Sequence, residues 1–195
     1  MKKYLFILIV LAVGLVSCSE SKGEADEYDD WQNRNEAYFE KVYQQASGSP
    51  ARLILPKWSL GGSETTVPHT DNIIVEVLEN GEGGLSPLHT DSVEVHYVGR
   101  LMPTTNYPEG FVFEKSYART FDPEVSPSKT MSVSGLTKGF ATALMSMHRG
   151  DHWRVTVPYQ LGYGATASSL IPAYSTLIFE IRLVDFWSQK KGDRK

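Results

Sequence analysis

Apolar and polar residues alternate from about residue 71 onward with the period of two that is typical of half-buried β-strands. The clearest case is the stretch 93–101, where Val93, Val95 and Tyr97 alternate with polar neighbours and therefore share one face. Shorter apolar stretches predict further strands, at 73–78, 111–113, 153–157 and 177–187. Glycine and proline residues separate these stretches, so we expect a sheet of several strands joined by turns.

Two stretches have the spacing of amphipathic helices instead. Residues 138–148 bring Phe140, Leu144 and Met147 to one face. The stretch 31–46 is predicted to be a second helix, with a capping pair at its start and Gly48 and Pro50 after its end. One face of this helix would carry Trp31, Asn35, Tyr38, Phe39, Val42, Tyr43 and Ala46, and the capping pair would be Asn33 and Glu36. So aromatic a helix needs a partner, which is either its own domain or a second copy in a homodimer.

One amphipathic helix packed against an antiparallel sheet is an α+β fold, here preceded by an N-terminal helical segment. Residues 51–70 contain several prolines and glycines and predict a linker with at most one short strand, at 53–55. The acidic stretch 19–30 cannot bury enough apolar surface to fold. It is either a solvated tether or a surface-export signal, since some lipoproteins of Gram-negative bacteria carry acidic residues at this place.

The first residues have the layout of a secretory signal, with two lysines, an apolar run over 4–16, and Ser17 before Cys18. The run is shorter than the roughly 20 apolar residues of a membrane span. The pattern resembles the bacterial lipobox, which implies cleavage before Cys18 and acylation of its thiol and new N-terminus. The alternative is an ordinary signal peptide with an incidental cysteine.

These features predict the organisation of the whole chain. We expect a lipoprotein signal peptide at 1–17, an acidic tether, helix and linker at 18–70, a folded domain at 71–188, and a basic tail at 189–195. The mature protein would lie in the cell envelope. It would be held to the outer membrane by lipid, facing either the periplasm or the surface.

Composition narrows the function classes. With 41% hydrophobic and 22% charged residues the chain is an ordinary globular protein, and a net charge of -4 gives no basic face for nucleic acid. A single cysteine excludes an internal disulfide. The five histidines lack cysteine partners, and Gly150 and Asp151 interrupt the nearest pair, His148 and His152. We therefore predict no metal site.

The stretch Val93-Glu94-Val95-His96-Tyr97-Val98-Gly99-Arg100-Leu101 resembles the V-x-V-H-Y-x-G-x-L strand of FKBP-type peptidyl-prolyl isomerases. Shorter motifs follow in the order of that family. They are Phe111 to Tyr117, Gly139-Phe140, Leu144, Met147, Gly150-Asp151, Val155 to Pro158, Leu161 to Ala165, Ile171-Pro172 and Thr176 to Glu180. The resemblance covers about residues 71–187, and it implies an FKBP-like fold that isomerises X–Pro peptide bonds.

The resemblance also implies an apolar pocket that holds the prolyl ring. The matched positions are Tyr97, Phe113, Leu136, Phe140, Tyr163, Ile171 and Phe179. The Thr137 backbone N–H and the Tyr163 hydroxyl would bind the peptide, and Met131 would supply a further wall. Without the family motifs, aromatic residues at alternating strand positions would indicate an ordinary core.

The chain departs from the family pattern at several positions. Glu114 stands where the family most often has Asp, and the resemblance implies that its carboxylate is a site residue that helps to orient the tyrosine and the ligand. Phe140 stands where the family usually has Trp, and Thr137 where a branched aliphatic residue is common. The insertion 103–110 is either a surface ornament or a lip that contacts clients. Residues 165–170 match the flap that overhangs the pocket in this family.

The leading hypothesis is a lipid-anchored isomerase that assists the folding of proline-containing exported proteins and also binds FK506- or rapamycin-type macrolides. The resemblance implies no cofactor. Two other functions stay open. One is an FKBP-like binding module or holdase with little isomerase activity. The other is a surface adhesin that uses the loop 103–110.

Overall fold

The computed structural model describes residues 27–60, 66–118 and 120–188. Two α-helices occur in these ranges, α1 at Trp31–Ser47 and α2 at Lys138–Leu144. The strands are β1 at Arg52–Pro56, β2 at Asn72–Glu79, β3 at Asp91–Leu101, β4 at Val112–Lys115, β5 at Lys129–Ser132, β6 at His152–Val157 and β7 at Leu177–Ser188. The signal peptide, Cys18, most of the acidic stretch and the basic tail lie outside the described residues.

The strands form one antiparallel sheet in the order β1-β2-β6-β7-β3-β4. Strand β3 pairs along its whole length with β7 on one side, while β4 and β5 share its other side. Such a sheet with helices is the α+β architecture that the strand pattern predicted.

The short helix α2 packs on the face of the sheet that carries the alternating apolar residues. Its Phe140 and Leu144 are buried in one core together with Val93, Val155 and Ile181. Gly139 makes the close packing possible, because a Cβ at this position would come within 2.3 Å of a Val157 methyl group. The alternation of each strand thus places its apolar residues against α2.

Helix α1 covers part of the opposite face of the sheet. Ile73 and Val75 of β2 face the α2 side of the sheet, so Ile74 between them faces the opposite side. There Ile74 is buried with Phe39 and Ala46 of α1. Trp31, at the start of α1, reaches into the main core. Of the two partners predicted for this helix, its own domain is in contact with it.

Two local predictions are wrong. The first concerns the capping pair, because α1 begins two residues before Asn33. Asp30 occupies the N-cap position in a left-handed conformation, with φ of 48°, and Asn33 Nδ2 donates to its carboxylate at 2.5 Å. The backbone turn at Asp30 therefore starts the helix without a side-chain cap.

The second concerns the end of helix α2. Helix α2 ends at Leu144 instead of His148, since the Met147 N–H bonds to the Leu144 carbonyl and the Asp151 carboxylate accepts from the His148 N–H. These contacts form tight turns in place of a last helical turn. The short strand predicted at 53–55 within the linker is present as β1, which pairs with β2 over five residues.

No helix in 27–60, 66–118 or 120–188 is long and apolar enough to cross a membrane.

Candidate active site

Four aromatic rings from four different elements meet on the α2 side of the sheet. The Tyr97 ring lies 5.7 Å from Phe140, Phe140 lies 4.8 Å from Phe179, and Phe179 lies 5.8 Å from Phe113. Each pair is edge-to-face, the arrangement that aromatic quadrupoles favour. The chain of rings contains four of the residues predicted to form the pocket.

Through Phe113 this ring cluster reaches a surface cleft of about 330 Å³, while Tyr97, Phe140 and Phe179 are buried behind it. The cleft is lined by Phe113, Glu114, Tyr163, Ser168, Ser169, Leu170 and Ile171. Phe113, Glu114, Tyr163 and Ile171 were predicted to be site residues. The remaining three belong to the predicted flap, whose tip therefore forms one wall of the cleft.

The flap is held by its own backbone hydrogen bonds. Ser168 and Ile171 exchange N–H and C=O at 2.9 and 2.8 Å, and Ser169 between them has a φ of 49°. At its base the Tyr174 N–H donates to the Gly164 carbonyl at 2.8 Å. Leu170 at the tip is 55% exposed, although Ile171 beside it is buried. The flap thus offers an apolar surface to a peptide that enters the cleft.

A polar triad stands beside the aromatic rings. The ammonium of Lys129, on β5, donates to Glu114 Oε1 at 2.7 Å and to Tyr97 Oη at 3.1 Å. It also lies 5.5 Å from the centre of the Tyr97 ring. Sequence reasoning missed Lys129. The available signal was its spacing, because Lys129 lies two residues before Met131 and so shares its strand face.

The protonation states in this triad are set by burial and by the hydrogen bonds among Tyr97, Glu114 and Lys129. Burial, followed by the hydrogen bond to Glu114, raises the pKa of Tyr97 to about 12. Burial alone would raise the pKa of Glu114, but hydrogen bonds from Lys129 and Tyr97 outweigh it and lower that pKa. The hydrogen bonds of Lys129 to Glu114 and to Tyr97 raise the pKa of Lys129. At neutral pH the triad therefore holds a neutral phenol, a carboxylate and an ammonium ion.

The Tyr163 hydroxyl faces the same charges from the other side of the cleft. Burial, and then the negative charge of Glu114, raise the pKa of this phenol. Its side chain is 40% exposed, which leaves it accessible to a peptide. Tyr163 is therefore a neutral hydrogen-bonding group at neutral pH, in keeping with the predicted contact to the peptide.

Six predicted site residues do not line the open cleft. Three of them, Tyr97, Phe140 and Phe179, belong to the ring cluster, and the other three are Met131, Leu136 and Thr137. Met131, on β5, pairs with Val93 of β3, and Leu136 packs against the main core. Thr137 occupies the N-cap position of α2, where its carbonyl accepts from the Ala141 N–H at 2.9 Å. The peptide-binding role of the Thr137 N–H stays a prediction.

The insertion 103–110 packs on the segment that leads into α1. The Asn106 amide donates to the Glu27 carboxylate, and Tyr107 stacks edge-to-face on Phe111 at 5.2 Å. Residues of this loop do not line the cleft among the residues that the structure describes. The insertion is therefore attached to the N-terminal segment.

Helix α1 also contacts the chain segment that links the flap to β7. Trp31 Nε1 donates to Ser175 Oγ at 2.9 Å, and Ser175 Oγ donates to the Pro172 carbonyl at 2.7 Å. The Asn35 side-chain oxygen accepts from the Thr176 N–H at 2.7 Å, and its carbonyl accepts from the Thr176 hydroxyl. Residues 172–176 are thereby fixed beside Ile171, one of the cleft residues.

The described part of the chain contains no group of three His, Cys, Asp or Glu side chains placed to hold a metal ion. What the site offers is an apolar ring cluster, a cleft, and a few polar groups at its edge. This is the usual composition of a small-molecule or peptide site.

A sequence model of the FKBP-type peptidyl-prolyl cis-trans isomerase family matches residues 84–184, just over half of the chain. The chain belongs to this family. Every residue of the ring cluster and of the cleft falls inside the matched range, so the isomerase domain contains the whole site described above. This finding confirms the family that the strand motifs predicted.

Relatives of the isomerase domain come from distant organisms. The chain is 28% identical over 189 residues to a macrophage infectivity potentiator of Trypanosoma cruzi, covering 94% of this chain and 83% of that protein. It is 39% identical over 110 residues to the FKBP-type 22 kDa peptidyl-prolyl cis-trans isomerase of Escherichia coli. That match covers 56% of this chain and 47% of the Escherichia coli protein, so the chain spans about half the length of this relative.

The architecture has a solved counterpart. The crystal structure of FkpA from Escherichia coli superposes with a TM-score of 0.60 and 22% sequence identity, covering 82% of this chain and 62% of that chain. At this identity the comparison concerns the fold. It confirms the FKBP-like sheet with its helix and the presence of an N-terminal helical part.

Proposed function

We propose that this chain is a lipid-anchored peptidyl-prolyl cis-trans isomerase of the cell envelope that speeds the folding of exported proteins. Family membership supports the isomerase activity. The observation that carries the assignment to this site is the continuous cluster of Tyr97, Phe113, Phe140 and Phe179, which reaches the cleft through Phe113. A prolyl ring is a compact apolar group, and such a cluster binds it without a demand on the surrounding sequence.

The apolar surroundings also account for catalysis. Rotation about an X–Pro amide has a barrier of about 20 kcal/mol, because amide resonance favours the planar state. The planar amide is more polar than the twisted one, so a dry aromatic site favours the twisted state. Each tenfold acceleration needs about 1.4 kcal/mol of such preference. No nucleophile or acid–base pair is needed, and the hydroxyls at the cleft serve to orient the peptide.

Uncatalysed isomerisation takes tens to hundreds of seconds, which is slow enough to limit folding. An exported protein reaches the envelope unfolded, and its prolyl bonds must then adopt their native isomers. The lipobox-like sequence at Cys18 supports placing the isomerase there through acylation. The acidic stretch that follows would act as a tether between the lipid and the domain.

The activity is tested by following cis-to-trans conversion of an Ala-Leu-Pro-Phe peptide with the purified chain, with and without FK506. We expect acceleration that FK506 inhibits and that Phe113→Ala abolishes. Phe111→Ala is the matched control, because Phe111 packs on Tyr107 away from the cleft. Binding of FK506 without acceleration would mean a binding module, and retention of full activity in Phe113→Ala would contradict this site.

The anchor has its own test. Cells that express the chain are supplied with a labelled palmitate analogue, and label is expected on the native protein and not on Cys18→Ser. Membrane fractionation of the same two proteins shows whether the lipid holds the chain in the envelope. Equal labelling of the two proteins, or no labelling of either, would contradict lipidation at Cys18.

A further inference from the structure

We propose that Lys129 is a positioning residue of the prolyl site, which compensates the charge of Glu114 and thereby lets the cleft accept clients whatever the charge beside their proline. The proposal rests on the proposed function, since it concerns the same cleft. It assigns a role to a side chain that no family motif in the sequence pointed to.

The geometry gives Lys129 two simultaneous contacts. Its ammonium bonds to the Glu114 carboxylate at 2.7 Å and to the Tyr97 hydroxyl at 3.1 Å, so one cation fixes two groups that stand on different strands. Strands β4 and β5 lie on the same side of β3, which is why these side chains converge. Glu114 has one methylene more than Asp, and the ion pair restrains that extra freedom.

Glu114 and Lys129 differ in their position relative to the cleft, and therefore in their roles. Glu114 lines the cleft, whereas Lys129 does not. A bound peptide therefore meets the carboxylate first, with the ammonium beside it. The side chains of Lys129 and Glu114 are 48% and 46% exposed, so their field reaches the residue next to the bound proline through partly solvated space.

Few other ionisable groups act on Glu114. Tyr97 and Tyr163 are the phenols that face it, and both are neutral at neutral pH. Lys115, next to Glu114 on β4, directs its ammonium to the Ala118 carbonyl at 3.2 Å. Lys129 is the cation bonded to Glu114 among the described residues. Without Lys129 the mouth of the cleft would carry an uncompensated carboxylate, which attracts basic and repels acidic peptides.

The test measures kcat/KM for three peptides, Ala-Glu-Pro-Phe, Ala-Leu-Pro-Phe and Ala-Lys-Pro-Phe, with the full chain and with Lys129→Met, Lys129→Arg and Lys115→Met. In the native chain and in Lys129→Arg we expect similar values for the glutamyl and lysyl peptides. In Lys129→Met the lysyl peptide should be favoured by roughly three- to tenfold, the range for one partly solvated charge. This preference should shrink as salt is raised.

Lys115→Met is the matched control, because it removes a lysine charge next to Glu114 in sequence without breaking the triad. It should leave the three peptides in their native ratio. The pH profile gives a second readout. Loss of Lys129 removes one of the contacts that lower the pKa of Glu114. As the pH is lowered, the charge preference of Lys129→Met should therefore disappear at a higher pH than the pH at which Glu114 of the native chain becomes protonated.

Two results would overturn the proposal. One is an equal loss for all three peptides in Lys129→Met without a pH shift, which indicates a purely structural role. The other is an unchanged ratio of the peptides in that variant. If the native chain itself fails to accelerate isomerisation, the proposed function fails separately. Fluorescence anisotropy with labelled forms of the same peptides then tests the charge preference through their dissociation constants.

Discussion

Polar groups meet aromatic rings in two regions of this protein, the contact between α1 and the 172–176 segment and the mouth of the prolyl cleft. In the first, Asn35 has no exposed surface, and its amide and carbonyl bond to Thr176. In the second, the Lys129–Glu114 pair is about half exposed. The first region is built like a protein core and the second like a binding site.

Physical chemistry gives the two regions different consequences. A buried polar group that loses its partner costs about 1–3 kcal/mol, since water cannot replace the lost bond. An exposed ion pair contributes about 0–1 kcal/mol, because water and salt screen it. Substitutions at the α1 contact should therefore change stability, and substitutions at the cleft should change activity with little effect on stability.

The largest effect is expected for Phe39→Ala. Phe39 is buried with Ala46 and Ile74, and removal of a buried phenylalanine side chain costs about 3–5 kcal/mol of unfolding free energy. Urea unfolding measures this loss. The exposed Leu88 provides the control, because Leu88→Ala should leave the midpoint nearly unchanged. Equal midpoints for the two variants would show that α1 is not part of the cooperative unit.

Asn35→Leu should follow, with a loss of about 2–3 kcal/mol, since it leaves the Thr176 N–H buried without its acceptor. Asn33→Leu, at an exposed position of the same helix, should cost less than about 1 kcal/mol. Because residues 172–176 adjoin Ile171, Asn35→Leu should also weaken peptide binding. If unfolding of Asn35→Leu matches that of Asn33→Leu, the buried bonds contribute nothing to stability.

The next prediction concerns Tyr97→Phe, in the polar triad beside the cleft. The change keeps the ring but removes the hydroxyl that accepts from Lys129, so unfolding should change by less than about 1 kcal/mol while kcat/KM falls by about tenfold. Tyr159→Phe, whose hydroxyl bonds to Glu36 on α1, is the control with native activity. Full activity in Tyr97→Phe would remove this hydroxyl from the mechanism.

The raised pKa of Tyr97 adds a pH test. Because this folded-state pKa, about 12, exceeds the ordinary value near 10, the contribution to stability is complete below pH 10 and is lost between about pH 10 and 12. The decline in unfolding free energy over this window should be smaller in Tyr97→Phe. An identical decline in both proteins would contradict the shift.

How far sequence predicts this molecule depends on whether a pattern is local. Strand β3 was predicted from alternation because one of its faces is buried along most of its length. The short strand β1 was predicted within a linker, but its pairing with β2 was not, because that pairing depends on residues outside the local pattern. Helix α1 begins at a backbone turn at Asp30, which no side-chain capping pattern signals.

The site likewise contains residues that the sequence predicted and one residue, Lys129, that it did not. The aromatic cluster was predicted because family motifs fix the order of Tyr97, Phe113, Phe140 and Phe179 along the chain. Lys129 lies on a short, partly exposed strand, where hydropathy carries no information. Its role depends on the convergence of β4 and β5 beside β3, and only the folded chain brings these together.

The smallest effect is expected for Glu114→Gln, the change that most directly separates the two regions. Hydrogen bonds from Lys129 and Tyr97 lower the Glu114 pKa, so its contribution is present above the ordinary glutamate value and is lost as pH falls through the lowered value. At neutral pH the variant should unfold within about 1 kcal/mol of the native chain. Its kcat/KM for the glutamyl peptide should rise relative to the lysyl peptide, since the ammonium of Lys129 is then uncompensated. A loss of stability as large as that of Asn35→Leu would mean that the cleft is held together like a core, and the contrast between the two regions would fail.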